Sequence, residues 1–295
     1  MEIVDLEKFL VIAATENLQR AADRLDTTAS GLSKALRRLE VELDTRLFDR
    51  IGKQLKLNDD GRRLQSRAAE MVATARQIQA ELGGSGIPDC RVAAPAMLQL
   101  NWALKIQEKL AAQQPRARLS ITTAYESLAL RMLLQGEVDA ALITEAISAQ
   151  VPSNFSTRRV GSTAMCIAAS PNHPLAIARK RGVPEIEVPV TTIREYSFAA
   201  PRRSPFCGEE RGIGSDGWRE DLLPRKVQVV VNDYGVLSYF VMRGELLAFL
   251  PEELIEEIGA VKLRVAGTRQ DTTEHLLFAW RGGRGGWLDH LAESL

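Results

Sequence analysis

The stretch from Thr28 to Leu43, TASGLSKALRRLEVEL, narrows the choices for this chain more than any other. Its apolar residues Leu32, Ala35, Leu36, Leu39 and Leu43 recur at helical spacing and form a single stripe on an α-helix. Thr28 stands where its hydroxyl can accept from the free amides of the first turn. Off the stripe lie Ser30, Ser33, Lys34, Arg37 and Arg38. Short hydroxyls and long cations of this kind suit phosphate oxygens and base edges in a DNA major groove. A basic amphipathic helix is more often a solvated surface element, so its neighbours have to decide the reading.

Those neighbours are informative. Leu6, Phe9, Leu10, Ala13 and Ala14 give a first helical stripe, and Asn17 is placed to cap a second helix carrying Leu18, Ala21, Ala22 and Leu25. Asp26, Thr27 and Thr28 then turn the chain into the basic helix, which is the spacing of a helix-turn-helix. Beyond Leu43, Leu47 and Phe48 can pack inward, and Gly52 separates Phe48 from the alternating Leu55 and Leu57, as in a short β-hairpin wing. Arg50, Lys53 and Lys56 make that wing positive. Asn58 can cap a long helix from Asp59 to Leu82, in which Gly61, Leu64, Ala68, Met71, Ala75, Ile78 and Leu82 keep a heptad rhythm that calls for a partner helix. The run GGSGIPDC at 83–90 then breaks the pattern and marks a domain boundary.

Composition limits the alternatives. The 295 residues suggest two domains, and 38 basic against 38 acidic residues leave no global field to attract nucleic acid or anionic membrane. DNA binding therefore has to come from local clustering. No apolar run approaches the length of a membrane span, and the acidic N-terminus MEIVDLEKFLVIAATEN is unlike a secretory signal, so the expected location is the cytoplasm, with no membrane partner. Cys90, Cys166 and Cys207 are far apart with no CxxC pair, and there are three histidines, so neither a metal site nor a cofactor is expected.

After the break, short apolar runs alternate with helical stretches. Residues 91–95, 119–124 and 139–144 read as strands, with helices at 98–113 and 128–135 between them. A second set follows at 164–169, 196–200, 227–231 and 246–250, then strands at 261–265 and 276–280 and a terminal helix from Gly286 to Leu295. The alternation predicts a parallel sheet with crossover helices.

The run from Asp5 to Gly61, with FLVIAATENLQRAADRL, TTASGLSKALRRLEVEL, RLFDR and LKLNDDG in order, closely resembles the DNA-binding domain of LysR-type transcriptional regulators. YESLALRMLLQGEVDAALI, SPNHPLA and VVVNDYGVLSYFVMRGELLAFLPEEL resemble phrases of that family's effector-binding domain. The resemblance implies an α/β chain with an N-terminal winged helix-turn-helix, a linker helix, and a two-lobed α/β effector-binding domain of type 2 periplasmic-binding-protein architecture. The expected boundaries are 1–60 for the DNA-binding domain, 61–88 for the dimerisation helix and hinge, and 89–295 for the effector domain. Within the last, lobe 1 takes about 89–162 and 267–295, and lobe 2 about 163–266. The partners it implies are double-stranded DNA with an interrupted palindromic operator, a small-molecule effector, further copies of the chain as homodimer and homotetramer, and RNA polymerase. The family commonly carries glutamine followed by proline or serine where this chain has Ala29 and Ser30, so readout by Ala29 is limited to apolar contact such as a thymine methyl. Gln19 also replaces a more usual serine or threonine.

Candidate DNA contacts are Thr28, Ala29, Ser30, Ser33, Lys34, Arg37, Arg50 and Lys53. Ligands of open α/β sheets bind beyond the carboxyl ends of strands, which selects Pro95 to Met97, Tyr125 to Ser127, Pro201 to Cys207 and Asn232 to Tyr234, and among them Ala96, Met97, Ser127, Pro201, Arg202, Ser204, Cys207 and Asp233 as candidate effector contacts. Ala96 and Met97 would make one wall apolar. Arg202 with Ser204 could hold a carboxylate or phosphate, although arginines on a loop read equally well as solvated. Arg202, Arg203 and Arg211 near Cys207 would make its thiol sensitive to oxidation, and Glu209 and Glu210 oppose them. Trp218 reads as packing. Two other functions remain open at this level. An enzyme with Cys207 or Cys166 as nucleophile lacks any GxSxG, phosphate-loop or HExxH motif, and a transport solute-binding protein is opposed by the N-terminus.

Overall fold

A computed structural model describes residues 1–51, 54–81, 89–177, 186–210, 215–266, 273–282 and 286–295. The N-terminal unit begins with α1 (Ile3–Thr15), α2 (Leu18–Arg24) and α3 (Ala29–Glu42). Asn17 caps α2 by accepting from the amides of Gln19 and Arg20 at 2.9 and 3.0 Å, and Thr28 caps α3 by accepting from Gly31 at 3.1 Å. A hairpin of β1 (Phe48–Ile51) and β2 (Gln54–Leu57) follows, antiparallel with Ile51 opposite Gln54. Leu6, Phe9, Ile12, Leu32, Leu39, Leu47 and Phe48 fill the core, with the Phe9 and Phe48 rings edge to face at 5.9 Å. Leu43 belongs to no stripe in the structure: it ends α3 and is 36% exposed, because the chain turns away through the left-handed Asp44.

Helix α4 (Asp59–Glu81) starts at Asn58, whose side chain accepts from Gly61 at 2.8 Å. The heptad seam divides along its length. Its first half is used within the chain: Ala68, Ala69 and Val72 are buried in the N-terminal core, Leu64 packs on it, and a Cβ at Gly61 would lie 2.2 Å from the Leu47 carbonyl oxygen. Met71 and Ile78 further along are exposed at 41% and 50%. Leu82 and the break at 83–88 lie outside the described residues.

The second region places β3 (Asp89–Ala94), α5 (Ala96–Gln113), β4 (Arg118–Thr123), α6 (Glu126–Leu134) and β5 (Ala140–Thr144) in succession, followed by a 3-10 turn at Glu145–Gln150. Next come β6 (Ser156–Ala169), α7 (Pro174–Ile177), β7 (Ile186–Val188), α8 (Val190–Ile193), β8 (Ser197–Pro201) and β9 (Lys226–Val231). The chain closes with α9 (Tyr234–Met242), β10 (Leu246–Pro251), α10 (Glu252–Glu257), β11 (Val261–Val265), β12 (Thr273–Trp280) and α11 (Trp287–Ser294). The strands join in the order β4-β3-β5-β12-β6-β10-β8-β9, with β11 attached at β6 and β7 at β11.

The expectation of a parallel sheet is corrected to a mixed one. β3, β4 and β5 are parallel, as are β8, β9 and β10, but β12 runs antiparallel to both β5 and β6, and β10 antiparallel to β6. The cause is the length of β6. It is a strand of 14 residues that starts at Ser156 rather than near 164, pairing with β12 along its first half and with β10 and β11 along its second. Thus β6 joins two parallel sets into one mixed α/β sheet with two lobes. The carboxyl ends of the parallel strands are Ala94, Thr123 and Thr144 in one set and Pro201, Val231 and Pro251 in the other, and the segment that follows Thr123 meets the one that follows Pro201. Among the described residues no helix is long and apolar enough to cross a membrane.

Candidate functional site

Helix α3 presents its two faces as its stripe requires. Leu32, Ala35, Leu36 and Leu39 are buried, while Thr28, Ser30, Lys34 and Arg37 are exposed and Ser33 is half-buried. Lys34 and Arg37 form no ion pair among the described residues, so both are available to an anion. Ala29 is half-buried against the core, which leaves part of its methyl group outward. Arg50 stands exposed on β1 and Lys56 exposed on β2, extending the positive surface onto the hairpin. Lys53 and Gly52 lie outside the described residues.

Arg38 is not part of that free surface. Its guanidinium grips the carboxylate of Asp5 on α1 with bonds of 2.9 and 2.5 Å, and Asp5 is 3% exposed. The Asp5 carboxylate holds the Arg38 guanidinium above its ordinary pKa. Arg38 therefore ties the recognition-type helix to α1, and Lys34 and Arg37 carry the outward charge.

Between the lobes, the candidate effector residues fall into three groups. Ala96, Ser127, Arg202 and Asp233 are exposed at the ends of strands or starts of helices. Asp233 also caps α9, accepting from Val236 at 3.0 Å. Ser204 and Cys207 are half-buried in one turn, where the Ser204 hydroxyl accepts from the amides of Phe206 and Cys207 at 3.4 Å. Met97 and Pro201 are buried, and Met97 packs in the main hydrophobic core, so its side chain serves the lobe rather than an open wall. Arg203 pairs with Glu210 at 3.6 Å, whereas Arg202 has no side-chain partner among the described residues. Arg211 lies outside them.

The structure gives partners to the residues around these candidates. The lobes touch directly: the Glu126 amide donates to the Phe206 carbonyl at 3.1 Å. Beside it the Tyr125 ring lies so close to Gly208 that a Cβ there would be 2.4 Å from the ring, and Gly208 has a φ of 74°. Glu126 is 2% exposed, and its carboxylate accepts from the Thr144 amide at 2.5 Å. Burial pushes the Glu126 carboxyl up, against the bonds from Thr144. Tyr234, at the start of α9, has a buried hydroxyl with no partner among the described residues, and burial pushes its phenol up. Tyr125, Glu126 and Tyr234 fall in the stretches selected from the sequence, and Gly208 lies one residue beyond them.

A buried ion pair joins the segment 216–220 to the residue before β9. Arg225 donates to both oxygens of Asp216 at 2.8 and 2.7 Å and to Glu220 at 2.7 Å, with Arg225 and Asp216 at 1% and 0% side-chain exposure. The guanidinium lies over Phe198 and Trp218, 5.3 and 5.1 Å from the ring centres. Trp218 itself is buried and donates to the Leu223 carbonyl at 2.6 Å, which is a packing role. Burial pushes the Cys166 thiol up to about 12 and raises that of Cys90 further, which disfavours the thiolate of each. No three or more His, Cys, Asp or Glu among the described residues are grouped to hold a metal ion.

Comparison with known proteins accords with these two sites. Residues 3–62 match the family model for a bacterial regulatory helix-turn-helix protein of the lysR family, and residues 88–288 match that of the LysR substrate binding domain. The chain is 31% identical to the HTH-type transcriptional regulator DgdR of Burkholderia cepacia over 145 residues, 49% of either protein. It is 30% identical to the HTH-type transcriptional regulator CysB of Haemophilus influenzae over 203 residues, 65% of this chain and 60% of CysB. The matched part thus spans about half of the one relative and under two thirds of the other. Among solved structures, a full-length OxyR variant of Pseudomonas aeruginosa aligns over 100% of this chain and 94% of that one, with a TM-score of 0.65 and 18% identity, a likeness of fold.

Proposed function

The chain belongs to the LysR family of transcriptional regulators, and from that membership we propose that it is a sequence-specific DNA-binding regulator controlled by a small molecule held between its lobes. One observation carries the reading: α3 is bound to its own core by Leu32, Leu36, Leu39 and Arg38, yet directs Ser30, Lys34 and Arg37 outward. A helix packed this firmly can hold those groups in a major groove without paying for their ordering. Thr28, Ser33, Lys34, Arg37, Arg50 and Lys53 would set position on phosphates, and Ala29, Ser30 and Lys34 would read bases.

Two such helices are needed for a palindrome. Met71 and Ile78 on α4 are exposed apolar groups one heptad apart and supply a surface for a second copy. A homodimer built there would read an interrupted palindromic operator, and pairs of dimers would form a homotetramer. The domains would follow 1–60, 61–88 and 89–295, with lobe 1 of the last at about 89–162 and 267–295 and lobe 2 at about 163–266. The effector would sit among Ala96, Ser127, Pro201, Arg202, Ser204, Cys207 and Asp233, without the core residue Met97, the exposed Arg202 favouring a carboxylate or phosphate. A regulator of this kind works in the cytoplasm, acts on RNA polymerase at its promoters, and needs neither catalysis nor a cofactor.

The test is selection of bound fragments from random genomic DNA with the purified full chain at fixed salt near physiological strength, followed by footprinting. Enrichment of an interrupted palindrome with half-sites about one helical turn apart is the expected result. Binding without sequence preference would overturn the proposal.

A further inference from the structure

The loop between α6 and β5, residues 135–139, lies at the end of its lobe away from the cleft and is pressed against the N-terminal unit of the same chain. Gly136, with a φ of 75°, approaches α4 so closely that a Cβ would lie 2.9 Å from the Ala69 Cβ, and 3.7 Å from Leu10 on α1. Only glycine fits both that conformation and that gap. Charges surround the contact. Arg24, at the end of α2, pairs with Glu137 at 3.3 Å, and Arg76 on α4 lies 3.9 Å from Asp139 while bonding Glu7 of α1 at 2.9 Å. Asp139 is in turn held by Arg91 at the start of β3, through its backbone amide at 2.9 Å and its guanidinium at 3.1 and 2.7 Å. Arg91 also donates to the Gly136 carbonyl at 3.2 Å, and Arg281 to that of Leu134 at 3.2 Å.

From this loop runs β5, whose five residues are all buried. It covers about 16 Å at strand rise. Its far end is Thr144, whose amide is fixed by Glu126, and the Glu126 amide reaches the other lobe at Phe206. One buried strand therefore has the contact between the lobes at one end and the N-terminal unit at the other.

We infer that residues 135–139 form a docking surface for the α1–α2–α4 face of the same chain, and that β5 carries the state of the cleft to it. The inference rests on the regulator reading for its purpose, though not for its geometry. A strand buried on all sides cannot bend independently at its two ends. A change in how Glu126 and Tyr125 meet Phe206 and Gly208 therefore shifts Gly136 against Ala69, and with it the basic helix relative to the lobes.

The test is amide hydrogen exchange of the full chain read by mass spectrometry, which needs neither effector nor operator. Gly136, Glu137 and Asp139 have protected amides, donating to Leu133, Met132 and Arg91 at 3.1, 2.9 and 2.8 Å. Glu137→Arg should speed exchange at 135–139 and 68–72 by about two- to fivefold, the effect of one partly exposed ion pair, and Arg24→Glu/Glu137→Arg should restore it. Tyr125→Ala, which removes the ring lying on Gly208, should also speed exchange at 135–139. That response should vanish in an Ala69→Gln/Glu137→Arg background, where the dock is already open. If Tyr125→Ala leaves 135–139 unchanged, β5 carries nothing; if the charge swap fails to rescue, the dock is absent. Neither result touches the DNA-selection experiment, so the two proposals fail separately.

Discussion

Replacing Arg225 by methionine isolates the buried pair it forms with Asp216. The wild-type guanidinium has two bonds to Asp216 and one to Glu220, at 1% exposure, and lies over two aromatic rings. Methionine keeps most of the ring contact but leaves the Asp216 carboxylate, at 0% exposure, without its cation. Breaking a buried pair by removing one partner costs about 3–5 kcal/mol. With a urea dependence of about 2–3 kcal/mol per molar, the unfolding midpoint of the effector region should fall by about 1–2 M. Urea titration followed by tryptophan fluorescence suits the measurement, because Trp218 packs between Phe198 and Phe249 with ring centres at 5.5 and 5.1 Å.

The pH dependence separates a lost charge partner from a packing defect. Burial pushes the Asp216 carboxyl up, and the Arg225 bonds oppose it. Without Arg225 that opposition is gone, and the folded-state value stands well above the unfolded one. A carboxyl raised on folding contributes stability that is present below the unfolded pKa and is lost as pH rises through the folded pKa. The deficit of Arg225→Met should therefore be largest at neutral pH and shrink as pH falls towards about 4. Asp216→Leu/Arg225→Met should recover most of the midpoint at pH 7. A fall in midpoint that is the same at pH 7 and pH 4, with no recovery in the double variant, would refute the assignment.

Two further outcomes follow from the sites. Arg37→Ala, at an exposed and unpaired position, should leave the melting temperature unchanged within error and lower the slope of log affinity against log salt by about 0.9, measured on a fixed operator fragment; an unchanged slope would remove Arg37 from the phosphate contacts. Gly208→Ala meets both a positive φ and the Tyr125 ring, so it should separate the lobes and destabilise the effector region by about 1–3 kcal/mol, and Tyr125→Ala should relieve the part due to the clash. Equal midpoints for Gly208→Ala and wild type would place the Tyr125–Gly208 contact elsewhere.

What could be read in the sequence was what depends on near neighbours. The stripe of α3, its Thr28 cap, the Asn17 and Asn58 caps and the strands of the second region are set by residues within a few positions of each other. Arg38 was misread for the opposite reason, since its partner Asp5 is 33 positions away. A signal was present nonetheless: Asp5 stands one turn before Phe9 on the apolar face of α1, and a carboxylate on a buried face requires a cation from somewhere. The heptad on α4 was legible but ambiguous. Gly61 and Ala68 satisfy the rhythm of a coiled coil while being too small to fill one, and small residues on a seam announce close approach by a neighbouring backbone, here that of Leu47. The length of β6 was hidden because its first half, STRRVGS, carries arginines at 158 and 159 and a glycine at 161. In the fold those residues pair with β12, and Gly161 is required there by the Trp102 ring, 2.9 Å from where its Cβ would be. The sequence reading succeeded where a residue answers to its own element and failed where it answers to another. The Glu126, Gly136 and Gly208 contacts are all of the second kind, and that is where coupling between the cleft and the N-terminal unit has to reside.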